Sequence, residues 1–388
     1  MTYRGTETSI DGGLGSDTLV LATAGGTTAV NFSLSAGADQ TTGDSVSVAN
    51  FESLDASAIG SALTVTGSSS ANTITTGSGN DVIDGGGGAD TISAGLGNDT
   101  VTYRGTESSI DGGGGTNTLV LAAAATVNLG NADQTSSDST TVNNFQNVDA
   151  SALSSAVSIT GSSAANTLTG GSGADTIDGA GGADTINAGS GNDTVTYRGT
   201  EISIDGGLGS DTLVLAVSGG TTAVNFSVSA GVDQTSGDSV SVANFENLDA
   251  SAIGSALTVT GSSAANSITT GSGNDVIDGG GGADAISAGL GNDTVTYRGT
   301  ESSIDGGGGT NTLVMAVTAT VNLANADQTS GDSTTVNNFQ NVDATALSAA
   351  ISITGSSSAN TISGGSGNDT IDGAGGADTL GRARFLWA

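Results

Sequence analysis

The sequence predicts an all-β fold, a right-handed parallel β-roll or β-solenoid of stacked nonapeptide coils with longer β-solenoid inserts. Three observations predict it. Thr-Tyr-Arg-Gly-Thr-Glu begins at Thr2, Thr102, Thr196 and Thr296, so a superrepeat of 194 residues occurs twice in 388. Inside each superrepeat runs a nine-residue frame with glycines at fixed places and an aliphatic residue at the eighth. The chain holds 65 Gly but no Pro, Cys or His, which suits tight turns rather than helices. Self-similarity at a fixed period is the mark of a repeat architecture, in which each unit buries its apolar face on its neighbours.

The frame is plainest from Gly67, where it reads GSSSANTIT, TGSGNDVID, GGGGADTIS, AGLGNDTVT, YRGTESSID and GGGGTNTLV. It recurs from Gly161, Gly261 and Gly355, and its tail opens the chain as YRGTETSID, GGLGSDTLV. Glycines at positions one, two and four are expected to take positive φ and turn the backbone. Positions seven to nine form a short strand whose middle residue points inward. Ile83, Ile92, Val101, Ile110 and Leu119 should therefore stack into a narrow aliphatic core, with two nonapeptides per coil and residues 18 apart in vertical register. Between blocks lie inserts such as 21–57 and 121–151, whose alternation (Val30, Phe32, Leu34; Val46, Val48) reads as further strands. The expected organisation is a first superrepeat at 1–194 (block, insert, block) and a second at 195–388. The two should run as one continuous solenoid, with an off-pattern tail at 382–388.

Composition excludes several functions. Six arginines face 39 acidic residues, and the resulting charge of −33 repels nucleic acid and anionic membrane. No apolar run reaches the length of a membrane span. No nucleophile has a base beside it, since His, Cys and Lys are all absent, so the chain is expected not to be an enzyme.

The chemistry sits at position six. Asp recurs there at Asp17, Asp81, Asp90, Asp99, Asp175, Asp184, Asp193, Asp211, Asp275, Asp284, Asp293, Asp369 and Asp378. The pattern G-G-x-G-x-D-x-U-x resembles the calcium-binding nonapeptide of RTX (haemolysin-type) proteins, a repeat of secreted toxins, proteases, adhesins and surface-layer proteins. The resemblance covers the nonapeptide blocks, somewhat over half the chain. It implies multiple Ca2+ ions held by these aspartates and turn carbonyls. Calcium is a hard cation that takes six to eight oxygens in loose geometry, whereas zinc and copper lack their usual ligands here. Each ion needs two stacked loops, which marks the pairs Asp81 with Asp99, Asp175 with Asp193, Asp193 with Asp211, and Asp275 with Asp293. Asn72, Asn117, Asn166, Asn266, Asn311 and Asn360 stand at position six of the block edges. They are expected to be weaker sites, or to spend their amides on turn hydrogen bonds.

The Tyr-Arg-Gly-Thr-Glu nonapeptide keeps its aliphatic residue (Ile110) but has Ser108 in place of the aspartate. Arg104, Arg198 and Arg298 are expected to pair with Asp90, Asp184 and Asp284 and to end the metal column. The position-nine acids Asp84, Asp111, Asp178, Asp205 and Asp278 read as solvated surface charge.

The repulsion of so many acids should hold the chain unfolded until calcium binds. The expected role is a secreted, cell-surface structural or adhesive segment, exported by type I secretion as the resemblance implies, that folds and stiffens on Ca2+. An ice-binding face of outward threonines (Thr73 and Thr91; Thr176, Thr194 and Thr212) and an accessory module of a secreted enzyme are the alternatives. The uncapped ends suggest head-to-tail self-association or a surface partner, and a fragment of a longer protein, begun at an internal valine codon and ended by a frame change.

Overall fold

The computed structural model describes residues 1–22, 31–34, 39–216, 225–228 and 233–382. Val30 and most of the 382–388 tail lie outside the described residues. The chain divides into two units, Met1–Asp193 and Thr194–Ala388.

In the first unit the nonapeptide strands stack in parallel on alternating faces. On one face Leu19, Leu54, Ile74, Ile92, Ile110 and Val142 follow one another in register. On the other, Phe32, Val65, Ile83, Val101, Leu119, Val148, Leu168 and Ile186 do the same. All are at most 3 % exposed, so the two ladders form the buried interior. Strands of three residues are stable here because inward residues meet apolar neighbours along the ladder, while positions seven and nine keep to the surface. Within blocks partners stand 18 residues apart, as the two-nonapeptide coil requires. Among the described residues there is no helix, and none long and apolar enough to cross a membrane.

The inserts build their rungs differently. Thr126–Asn128 pairs antiparallel with Thr135–Ser136 and parallel with Ser158–Thr160, so each insert is a small hairpin laid on the stack. The buried Gln134 holds it, its amide donating to Leu129 O and Phe145 O and accepting from Phe145 N–H. The chain rejoins the coil through Asn144 at φ 65°, a left-handed conformation that Asn tolerates better than most residues. Asn50 takes the same turn at φ 62°.

The second unit repeats this construction. Leu213, Leu248, Ile268, Ile286, Ile304 and Val336 form one ladder. Phe226, Val259, Ile277, Val295, Leu313, Val342, Ile362 and Leu380 form the other.

Candidate metal centre

Turns place the position-six side chains, and glycine sets the turns. Gly86 and Gly88 take φ of 82° and 112°, but Gly85 does not have positive φ. The expectation for position one therefore needs correcting, because glycine is required there for space. A Cβ on Gly85 would stand 2.6 Å from Asp90 Oδ2 and 3.1 Å from Ile92 Cδ1. The same closeness holds Asp184 against Gly179 and Asp284 against Gly279, at 2.4 and 2.5 Å.

Eleven of the thirteen candidate aspartates are buried, and only Asp17 and Asp378 are partly exposed, each in an outer turn of its unit. Ten of the buried ones share one geometry. Oδ1 accepts the backbone N–H of the position-six residue one coil earlier: Asn72 N to Asp90 at 2.7 Å, Asp81 N to Asp99 at 2.7 Å, Asp175 N to Asp193 at 2.7 Å, Asn266 N to Asp284 at 2.9 Å and Asp275 N to Asp293 at 2.8 Å. At the first coil of each block an apolar residue's N–H takes that part, as Leu63 does for Asp81, Val157 for Asp175, Leu257 for Asp275 and Ile351 for Asp369.

The second oxygen has a different fate. Oδ2 of Asp90, Asp99, Asp284, Asp293 and Asp369 is buried and receives no hydrogen bond from the protein. A buried acceptor without a partner is costly, and a buried charge more so. Burial pushes the carboxyls of Asp90, Asp99, Asp193, Asp284 and Asp293 up to about 6, their backbone donors pulling the other way. The stacked neighbour adds to the rise, Asp81 for Asp99, Asp175 for Asp193 and Asp275 for Asp293. Burial raises Asp81 and Asp275 as well, against the Leu63 and Leu257 N–H donors and the Thr76 and Thr270 hydroxyls. The structure thus brings Asp81 and Asp99, Asp175 and Asp193, and Asp275 and Asp293 together as repelling, dehydrated pairs. Asp193 closes the first unit, whereas Asp211 stands in the second.

These residues fit a hard divalent cation. The point where a Cβ on Gly170 would sit is 2.2 Å from Ala188 O and 2.6 Å from Asp175 Oδ2, so oxygens of successive turns converge where glycine leaves room. Among the described residues no three acidic side chains gather in one place, so two stacked carboxylates and turn carbonyls would have to share the ion.

The six asparagines are buried and use their amides fully. Asn117 Oδ1 accepts Asp99 N–H at 2.9 Å, as an aspartate would, while its Nδ2 donates to Gly112 O at 2.7 Å and Asn144 O at 3.0 Å. Asn311 repeats this with Asp293, Gly306 and Asn338. Asn72 Oδ1 accepts Ser68 N–H at 2.7 Å and its Nδ2 donates to Glu52 O at 2.6 Å. Asn166, Asn266 and Asn360 follow the same scheme with Gln146 O, Glu246 O and Gln340 O.

The Tyr-Arg-Gly-Thr-Glu turn differs from expectation. Arg104 pairs with Asp84, through Nε at 2.9 Å and Nη2 at 2.6 Å, and not with Asp90; Arg298 pairs likewise with Asp278. The Arg104 side chain is 41 % exposed, and reaching the buried Asp90 would have required burying its guanidinium. Asp84 and Asp278 are therefore not simply solvated charge, and their carboxyls lie below the usual range because the arginine donates to them. The position-nine acids also cap turns, Asp84, Asp111, Asp178, Asp205 and Asp278 each accepting the N–H two residues on.

What closes this turn is Glu107, buried, with Arg104 and Thr106 N–H groups donating to it at 2.9 and 3.1 Å. Tyr103 beside it donates to Asp138 Oδ2 of the insert at 3.0 Å. Tyr3, Tyr197 and Tyr297 do the same with Asp44, Asp238 and Asp332. The position-six ladder is continued across the inserts by side chains the repeat frame does not flag. Glu52 accepts Asp17 N–H, Gln146 accepts Asn117 N–H, Glu246 accepts Asp211 N–H and Gln340 accepts Asn311 N–H. Their signal was available in the recurring Asn-Phe-Glu or Asn-Phe-Gln that ends each insert.

The family profile of the RTX calcium-binding nonapeptide repeat matches four stretches of the chain, 66–101, 160–195, 260–295 and 352–380. They span about a third of the 388 residues and hold every candidate aspartate except Asp17 and Asp211. No curated protein matches the chain.

Proposed function

Because these are RTX nonapeptide repeats, whose cofactor is calcium taken up as several ions, we propose that the chain is a structural or adhesive segment of a larger secreted surface protein. In this reading it folds and stiffens as calcium binds outside the cell. The observation that carries the proposal is the set of buried carboxylates, Asp90, Asp99, Asp284, Asp293 and Asp369, whose Oδ2 atoms have no protein donor. At neutral pH each is a dehydrated charge, and Asp99 and Asp293 also stand on the charge of the aspartate one coil earlier, so the coil is at odds with its own interior. Calcium, held by these aspartates and the turn carbonyls, would supply the missing positive charge. The aspartates contribute the charge, their Oδ1 bonds fix the rotamer, and the position-one glycines leave the carboxylate room. Its work in this reading is mechanical, with no catalytic step.

Circular dichroism of the whole chain at neutral pH tests this. Strand signal is expected at millimolar calcium and is expected to collapse in chelator. A spectrum that keeps its strand signal in chelator refutes the folding switch, and a titration with no calcium uptake refutes the binding.

A further inference from the structure

The asparagines at position six raise a narrower question, which rests on the calcium reading above: where the ion column stops. Asn117 is the informative case. Its Oδ1 holds Asp99 N–H as an aspartate's Oδ1 holds the N–H of the coil before it, so the rest of the side chain lies where an aspartate's second oxygen would. That place is lined by Gly112 O and Asn144 O, and Nδ2 donates to both, at 2.7 and 3.0 Å. Asn311 does the same in the second unit, at 2.6 and 3.0 Å. An amide with two N–H groups aimed at carbonyls gives them what a cation would give, and its hydrogens exclude one.

We propose that Asn117 and Asn311 are built-in stops of the calcium column, their Nδ2 groups standing in for the metal. The upstream asparagines are turned the other way round but are likewise satisfied within the protein. Asn72 is saturated by Ser68 N–H on its oxygen and Glu52 O on its nitrogen. The column is thereby confined to the aspartate turns of each block and kept out of the insert hairpins, where the turns are not glycine-rich. This also accounts for a buried position six that carries no charge at 0 % exposure in both Asn117 and Asn311. A carboxylate there would add a third oxygen beside two carbonyls, with no donor among the three.

Isothermal titration with calcium alone, on the full chain and on N117D, N117A and N311D, decides it. N117D and N311D are each expected to bind one more equivalent than the unsubstituted chain and to need a higher calcium concentration for half-maximal strand signal. N117A is expected to bind the same number of ions. An unchanged count in N117D, a failure of calcium to fold it, or the loss of an equivalent in N117A overturns the proposal. An unsubstituted chain that binds no calcium defeats the calcium reading itself, which separates the two failures.

Discussion

Acid should do part of calcium's work. Asp90, Asp99 and Asp193 in the first unit have carboxyls held near 6 by burial, against about 3.8 in an unfolded chain. A raised folded-state value means the folded state keeps the proton more tightly. The penalty is therefore absent below about 3.8, grows as pH rises towards 6, and is constant above. At about 1.36 kcal/mol for each pH unit, each ionised carboxyl costs the metal-free fold about 3 kcal/mol at pH 7. The three together cost about 9 kcal/mol, comparable with the whole stability of a typical domain. Some groups respond the opposite way. Asp84, Asp39 and Glu7 have depressed values, so their stabilisation is lost once pH falls below the ordinary carboxylate range. Metal-free stability should therefore peak near pH 4. The assay is circular dichroism in chelator across this range, with strand signal rising between about pH 6 and 4. Relief of the general charge repulsion would also favour compaction in acid, so the double variant D90N/D99N separates the causes. It should fold more readily than the parent in chelator at pH 7 and gain less from acid. A parent chain with no acid gain, or a double variant that gains as much as the parent, refutes the reasoning.

Further outcomes follow from single contacts. G85A should cost about 1–3 kcal/mol in urea melts with calcium present, because its Cβ would meet Asp90 Oδ2 at 2.6 Å, whereas G87A should stay within about 0.5 kcal/mol, its nearest neighbour being Ser69 Cα at 3.7 Å. R104Q removes a pair 41 % and 30 % exposed, so it should cost at most about 1 kcal/mol in the same melts and leave the calcium count by titration unchanged. Y103F loses the hydroxyl bond to Asp138 and should lower stability by about 1 kcal/mol, again with the calcium count intact.

The core was legible because its rule is local. One aliphatic residue in nine, always at the same place, can only stack in register, and Ile83, Ile92, Val101, Ile110 and Leu119 are all at most 1 % exposed. The aspartates were legible for the same reason. What stayed hidden depends on distances across coils. Nothing in the order of residues says that Arg104 prefers a half-buried Asp84 to a fully buried Asp90, or that Glu107 folds back on its own turn. The inserts hid their logic most fully, since Gln134 and Gln146 act on backbone 11 and 29 residues away through hairpins that break the nine-residue beat.

The bonds from backbone N–H groups to side-chain oxygens between coils have a direction. Leu63 N–H waits for Asp81, Asp81 N–H for Asp99, Asp99 N–H for Asn117 and Asn117 N–H for Gln146, so every donor is completed by residues that come later in the chain. A stack assembled from its C-terminal side adds each coil onto acceptors already in place. One assembled from its N-terminal side always carries a frontier amide with nothing to hold. The repeat is nearly the same at every step, yet it has an easy end from which to crystallise.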